Sequence, residues 1–139
     1  MEVESRTSLL ALHYFFQIFH VSLILFNLLG WAGRRTRPWN LVTLLLTGAS
    51  WILLAPFFGF GYCPLTDWHY RILGQLGHYD LPVSYIAYLV ESITGIRPSA
   101  FATDVATGGC YAAALILSVV LNMRDRKRSK ETGKEEKKR

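Results

Sequence analysis

The chain has 139 residues, of which 51% are hydrophobic and 14% aromatic, and its formal net charge is +5. This length allows a single domain and excludes a transporter built from two repeated halves. The apolar and aromatic content is typical of a membrane protein.

Residues 9–31 form the first predicted membrane-spanning helix. They carry no formal charge and exceed the roughly 20 residues that cross about 30 Å of hydrocarbon. The preceding residues lack the basic start of a secretory signal, so this segment is expected to remain as an anchor. A mostly polar stripe with alternating spacings of four and three residues comprises His13, Gln17, His20, Ile24 and Asn27. We expect this face to turn away from lipid, towards other helices or a watery cavity.

Residues 41–62 form the second predicted span. They are also uncharged, and they follow a short loop with arginines at positions 34, 35 and 37. The polar face of this span consists of Thr43, Thr47 and Ser50. Pro56 is expected to kink the helix near its outer end, because proline lacks the amide hydrogen and clashes with the preceding turn.

Residues 63–99 are predicted to be a structured outer segment with one or two short interfacial helices. The segment starts with a helix-initiating motif composed of Cys63, Pro64, Leu65, Thr66 and Asp67. Thr66 is the expected N-cap, Leu65 is expected to pack on the first turn, and Asp67 suits the positive end of the helix dipole. Residues 82–95 number only 14 and contain Glu91, so they are expected to lie in the outer interface or to re-enter it without crossing.

Residues 100–122 form the third predicted span, in which Asp104 is the only charged residue. The pairs Gly108/Ala112 and Gly109/Ala113 have the spacing that allows helices to approach closely. The predicted fold class is therefore an all-α integral membrane protein with three transmembrane helices. Residues 1–123 form its single membrane domain, either as a compact bundle or docked to a larger partner.

The last sixteen residues, 124–139, form a tail with nine basic and four acidic residues. Such a run directly after a span is expected to touch anionic headgroups, not nucleic acid, and to be disordered beyond about Ser129. Because basic segments stay in the cytoplasm, the tail and the arginine loop predict a multi-pass protein of the cell (inner) membrane. Its N-terminus lies outside and its C-terminus in the cytoplasm.

Histidines near the outer boundary suggest a redox ligand. His13 lies about 6 to 8 Å inside the first span, and His69 lies above it, so the two could axially ligate one b-type haem, with Arg71 on a propionate. His20 lies about 10.5 Å deeper on the same face, where the other spans offer no second histidine. A quinone held by His13 and Gln17, among the outer aromatic residues, is the alternative ligand.

The remaining reactive residues indicate neither a metal site nor a catalytic site. Cys63, Asp67, His69 and His78 lack any familiar metal-ligand spacing. Cys63 and His69 have no recognisable oxyanion arrangement beside them, so an enzyme is not favoured. A disulfide between Cys63 and Cys110 stays open, because Cys110 lies some 10 to 15 Å deep in the third span.

Several segments resemble a known family. They are the Cys-Pro-Leu-Thr run at 63–66, the following helix start with Arg71, the stretch from Tyr79-Asp80 to Tyr88-Leu89, and Leu12-His13. Together they resemble a family of small bacterial integral membrane proteins that is known only as a domain of unknown function. The resemblance covers most of residues 9–122 and implies no activity. Where that family is expected to carry Glu, two residues after Asp67, this chain has His69, which argues against a carboxylate-dependent role there.

These observations predict a small, non-enzymatic accessory or assembly subunit of a larger membrane complex. Its expected partners are the lipid bilayer and other membrane-protein subunits. The alternative is a membrane redox protein that binds haem b or a quinone through His13, His20 and His69.

Overall fold

The computed structural model describes residues 2–59 and 61–138, and every regular element in these two ranges is a helix. The helices are α1 (Glu2–Leu29), α2 (Arg37–Leu53), α3 (Ala55–Phe58), α4 (Pro64–Gln75), α5 (Tyr85–Thr94) and α6 (Ala100–Glu136). The predicted all-α class is confirmed. Two helical segments, Val3–Leu29 and Ala100–Glu136, are long and apolar enough to cross a membrane.

The predicted second span, residues 41–62, is not a single helix, and its interruption lies near Pro56, where a kink was predicted. Helix α2 begins at Arg37 and ends at Leu53, and the one-turn helix α3 follows it with Pro56 in its first turn. The ring of Pro56 clashes with the carbonyl of Ile52 in an unbroken helix and cannot donate to it, so the chain starts a new turn. At 1.5 Å per residue, α2 is about 25 Å long and shorter than the two candidate spans.

Helices α1, α2 and α6 pack against one another, while α4 lies on α1 and α5 lies on α6. At one end of this bundle, Arg37 forms an ion pair with Asp125 at 2.8 Å, and its Nε donates to the carbonyl oxygen of Trp31 at 2.8 Å. Asn122 donates to the carbonyl oxygen of Arg37 at 3.1 Å. These bonds place the arginine loop and the start of the basic tail at the same end of the bundle.

The interior of the bundle is polar. Asn27 donates to Thr47 Oγ1 at 3.0 Å, and Asn40 donates to the carbonyl oxygen of Phe26 at 2.7 Å. The buried polar residues are His20, Asn27, Asn40, His69, Thr103, Ser118 and Asn122. The polar stripe of α1 is thus buried or half-buried, as predicted, while large apolar side chains point outward from α1, α2 and α6.

Helices α2 and α6 meet closely at Gly48. A Cβ atom at this position would collide with the hydroxyl of Tyr111, and that hydroxyl donates to the carbonyl oxygen of Leu44 at 2.7 Å. The absent side chain therefore leaves room for a hydrogen bond between the two helices.

Helix α6 differs from its prediction in two respects. Gly108 and Gly109 have no neighbour within 4 Å of a Cβ position, so the small-residue pairs make no close helix contact within the described residues. The contacts instead use the face with Thr103, Ala114 and Ser118, which are buried. The tail predicted to be disordered is helical through Glu136, because it is rich in helix-forming Lys, Arg and Glu and extends a helix that is already nucleated.

The outer segment contains two short helices, which agrees with the predicted number. The expected N-cap at Thr66 is wrong: α4 is capped by extended Cys63 and begins at Pro64, so Thr66 lies inside the first turn. Proline suits the first helical position because its fixed φ matches the helix and no amide hydrogen is needed there. Helix α5 lies within the predicted 82–95 stretch and ends at Thr94, and the following Gly95, with a φ of 72°, forms a left-handed C-cap.

Candidate functional site

A direct contact between two histidines joins α1 to α4. His13 Nδ1 and His69 Nε2 are 2.8 Å apart, and the side chain of His69 is fully buried. One of these nitrogens must carry the hydrogen and the other must accept it. The structure therefore brings together two of the histidines that the sequence suggested, as partners in one hydrogen bond.

The second ring nitrogen of His69 extends this contact to α5. Its Nδ1 lies 3.2 Å from the hydroxyl of Tyr85. A neutral imidazole has one donor and one acceptor nitrogen, so the tautomer of His69 sets the direction of both bonds. Either Tyr85 donates to His69 and His69 to His13, or His13 donates to His69 and His69 to Tyr85. The three side chains form one hydrogen-bonded chain, and both of its bonds can be made with either tautomer of His69.

Aromatic rings surround His69. Phe16 stacks on it with ring centroids 6.3 Å apart, and the edge of Tyr88 faces it at 5.9 Å. Tyr70 lies next to Tyr85 and Tyr88 and points its hydroxyl at the carbonyl oxygen of Ser84, 3.4 Å away. We refer to His13, His69 and Tyr85, with these surrounding rings, as the histidine–tyrosine cluster.

Burial keeps the outer part of the cluster uncharged at neutral pH. It lowers the pKa of His69 to about 4, and the charge of His13 acts in the same direction. Burial also raises the pKa of Tyr85 and of Tyr70, and neighbouring tyrosines add to both shifts. The cluster is thus a neutral hydrogen-bonding unit near pH 7, with no ionised group ready to act as a base.

His20 lies on α1 seven residues after His13, and it contacts Tyr85 of the cluster. Its ring stacks on Tyr85 with centroids 3.9 Å apart, and its Nε2 lies 3.9 Å from Cys63 Sγ. Its Nδ1 is buried without a hydrogen-bond partner within the described residues. Gln17 is half-buried on the same helix face.

Arg71 does not join the cluster. It forms an ion pair with Asp67 at 2.9 Å, and its side chain is 74% exposed. Cys63 is half-buried and Cys110 is exposed, and both are free thiols. The Cys63 to Asp67 motif therefore starts α4 and positions His69 without forming a second reactive site.

A haem does not fit between His13 and His69 in this arrangement. Two axial imidazole nitrogens on opposite sides of a metal are about 4 Å apart, twice a bond of about 2 Å, whereas these nitrogens are 2.8 Å apart and hydrogen-bonded to each other. Within residues 2–59 and 61–138, no group of three or more His, Cys, Asp or Glu side chains could hold a metal ion.

Sequence reasoning found His13, His20 and His69 but missed the tyrosines of α5. Tyr85 and Tyr88 are three residues apart, which places them on one helix face, and this spacing was the available signal. The pattern of residues 82–95 suits a helix at the membrane surface and does not indicate that one of its faces packs on the histidines.

Residues 10–123 match the model of a family described as "Protein of Unknown function (DUF2784)". The matched range contains the whole histidine–tyrosine cluster and all three helices of the bundle, apart from their terminal extensions. No curated protein and no solved structure matches the chain.

Proposed function

This chain belongs to the DUF2784 family of proteins of unknown function, and we propose that it is a small integral membrane protein that assembles with larger membrane proteins. In this role it serves as an accessory or assembly subunit and catalyses no reaction itself.

The observation that carries the proposal is the distribution of polar and apolar side chains. Among the described residues, seven polar residues are buried against five hydrophobic ones, and the long helices expose large apolar side chains along their outer faces. The exposed apolar side chains would be unfavourable in water and are favourable in lipid. The buried polar side chains also fit a lipid environment, because polar groups in hydrocarbon must find hydrogen-bond partners inside the protein. A bilayer is therefore the solvent that suits this surface.

We propose that α2 is the third crossing, although it is shorter than α1 and α6. It packs beside both candidate spans, and its 17 residues lie at the lower limit for a spanning helix of about 17 to 25 residues. Helix α3, which follows α2, would extend the crossing. The arginine loop and the basic tail share one end of the bundle, which supports a cytoplasmic location for that end.

The outward face of α6 supports association with another membrane helix. Gly109, Ala112 and Ala113 are exposed, and a Cβ at Gly109 would have no neighbour within 4 Å. Small residues let a second helix approach until backbones are in contact, which is how membrane helices gain packing energy without a hydrophobic driving force. The proposed partner is a transmembrane helix of a larger protein.

Extraction in mild detergent tests the assembly role. The wild-type chain should elute in a defined complex of larger mass, and Ala112→Leu should release it because the added side chain blocks close helix approach. Ala11→Leu is the matched control, since Ala11 is exposed on α1. A wild-type chain that elutes as a single monodisperse monomer, or a complex that tolerates both variants equally, would contradict the proposal.

A second candidate function is quinone binding at the histidine–tyrosine cluster. An open cavity of about 660 Å³ lies between the start of α1 and the end of α4 and is lined by Leu9, one turn before His13, and by Leu76 and Tyr79. This volume is within the range of ligand pockets, about 300 to 1,000 Å³. His13 does not itself line this cavity, so a quinone in it would have to reach past Leu9 to accept a hydrogen bond from His13.

Organic extraction of the purified protein tests this candidate. Quinone should be present in wild type and absent from His13→Ala, while Ile18→Ala, at an exposed position of α1 outside the cavity lining, should keep it. A visible Soret band that disappears in His13→Ala would instead establish haem as the ligand and overturn the geometric argument against it.

A further inference from the structure

A groove runs between α2 and α6 at the basic end of the bundle, on the opposite side of the proposed membrane from the histidine–tyrosine cluster. Its volume is about 640 Å³, and both helices line it. One end of the groove is basic and the other is apolar. The proposed function uses neither part.

The basic end of the groove carries three cations. They are Arg34, from the loop before α2, and Arg126 and Lys130 of α6. Arg126 and Lys130 are four residues apart, so they lie on the same side of α6. None of the three forms an ion pair with any described acidic side chain, because the four ion pairs involve Arg37, Arg71 and Arg97.

The single acidic residue that lines the groove does not cancel these charges. Asp125 already binds Arg37 at 2.8 Å, and the side chain of Arg37 is only 14% exposed. That pair is neutral and holds α2 against α6. The net charge of the residues that line the groove is therefore positive, because its one carboxylate is already paired with Arg37.

The apolar end of the groove follows one side of α2. Leu41, Val42 and Leu45 line it, and Val42 and Leu45 are 46% and 54% exposed. Residues 41 and 45 are one helical turn apart, so this strip runs from the basic end along the helix axis towards the middle of the proposed membrane. A ligand that fills both ends must be anionic at one end and apolar at the other.

We propose that this groove binds one anionic phospholipid. The phosphate lies against Arg34, Arg126 and Lys130, and an acyl chain lies along Val42 and Leu45. The position suits such a ligand, because basic pockets between membrane helices on the cytoplasmic side match the charge and depth of anionic headgroups. Arginine also offers paired donors that fit phosphate oxygens. This inference rests on the proposed membrane location.

Lipid binding is measured on the full chain in non-ionic detergent, by native mass spectrometry with added phosphatidylglycerol or phosphatidylcholine. The triple variant Arg34→Gln/Arg126→Gln/Lys130→Gln should lose phosphatidylglycerol affinity by about tenfold or more. The matched control, Lys134→Gln/Lys137→Gln/Lys138→Gln, removes the same charge from exposed tail positions and should change the affinity by less than about threefold. Equal losses of phosphatidylglycerol affinity in the two triple variants would mean that diffuse positive charge attracts the lipid. That result would contradict a defined binding site.

A second variant tests the apolar end with all charges intact. Val42→Trp should fill the strip beside the acyl chain and weaken phosphatidylglycerol binding, whereas Leu46→Trp, at an exposed neighbouring position, should not. The comparison of Val42→Trp with Leu46→Trp still tests the proposed lipid site if the triple variant unfolds and loses its helical circular dichroism signal. Full binding by Val42→Trp would overturn the acyl-chain assignment.

Two further measurements separate the alternatives. Glycerol 3-phosphate at millimolar concentration should fail to displace the lipid, and displacement would identify a site for free phosphate instead. Alkaline carbonate should leave the wild-type chain in the membrane pellet. Release by carbonate would refute the proposed membrane integration, whereas a retained chain that binds both phospholipids equally would refute the lipid site alone.

Discussion

At the scale of single residues, the histidine–tyrosine cluster is held together by neutral hydrogen bonds. His69 is fully buried, and both of its ring nitrogens are within hydrogen-bond distance of a partner, His13 on one side and Tyr85 on the other. A positive charge on His69 would turn its accepting nitrogen into a second donor. One of the two bonds would then have to break or reverse.

The stability of the fold should consequently fall in mild acid. The pKa of His69 is about 4 in the folded chain and about 6.5 when unfolded, so between these values the unfolded state binds more protons. The stabilisation is complete above about pH 6.5 and decreases towards pH 4, by roughly 3 kcal/mol in total. Thermal melts followed by circular dichroism at pH 7.5, 5.5 and 4.5 measure this loss.

The variant His69→Phe should flatten that pH profile, because phenylalanine fills the cavity and cannot take up a proton. His78→Gln, at an exposed histidine, is the control and should keep the wild-type slope. A profile that is equally steep in His69→Phe and in wild type would assign the acid sensitivity to other groups.

Gly48 is the second single residue on which the fold depends. Gly48→Ala places a methyl group against the Tyr111 hydroxyl and should cost about 1 to 3 kcal/mol of stability, the usual range for overpacking. Adding Tyr111→Phe removes the colliding atom, so the double variant should recover part of the loss. Gly108→Ala is the control, since its Cβ meets nothing within 4 Å, and it should be neutral or slightly stabilising. Denaturation of the four proteins in one detergent gives the comparison.

At the scale of elements, Arg97, which lies between α5 and α6, stabilises the outer segment through ion pairs. Arg97 binds Glu91 at 2.8 Å and Asp80 at 3.0 Å, and it also donates to the carbonyl oxygen of Asp80 at 2.9 Å. These bonds connect the loop before α5 to the end of that helix.

Arg97→Gln should therefore loosen α5 without unfolding the bundle. Hydrogen exchange should become faster in residues 85–94, while the thermal midpoint stays within a few degrees of wild type, because exposed ion pairs contribute little to global stability. Arg71→Gln breaks another exposed pair, on α4, and should leave α5 unchanged. Equal exchange in α5 for wild type and Arg97→Gln would show that the ion pairs do not hold it.

The helices also differ in how much of their structure the sequence predicts. The buried stripe of α1 was predictable because five positions at helical spacing carried its polarity. The predicted second span extends beyond α2, because the apolar run continues past Pro56 although the helix does not, and the break near Pro56 was predictable from the proline. Disorder was predicted for the tail of α6 because its composition suits both a disordered segment and an exposed helix. The preceding span favours the helix, because the tail extends a helix that is already nucleated.

The candidate site was predictable in its histidines and not in its geometry. Spacing along α1 gave His13 and His20 a common face, and the position of His69 above them followed from the order of the segments. The direct bond between His13 and His69 depends on how α4 packs on α1, which no local pattern encodes. The same packing determines that Arg71 points to solvent and Tyr85 points inward.

At the scale of the whole molecule, the proposed topology makes a direct prediction. In a Cys63→Ala/Cys110→Ala background, Ser84→Cys should react with a membrane-impermeant maleimide added to intact cells, and Ser129→Cys should react only after the cells are opened. The two sites lie towards opposite ends of the bundle, in the outer segment and in the tail. Labelling of Ser129→Cys in intact cells would reverse the orientation.

In the proposed membrane location, the unbroken length of α6 places its positive charges at different distances from the bilayer. Lys134 is twelve residues beyond Asn122 on the same helix, about 18 Å along the axis, whereas the electrostatic double layer of a charged membrane decays over about 8 Å at physiological ionic strength. In that location Arg126, about 6 Å along the axis from Asn122, lies within one decay length, and Lys130 lies at about 12 Å. Lys134 lies further out, where the field of the headgroups has largely decayed, so the end of α6 would present its charges to soluble molecules in the aqueous phase.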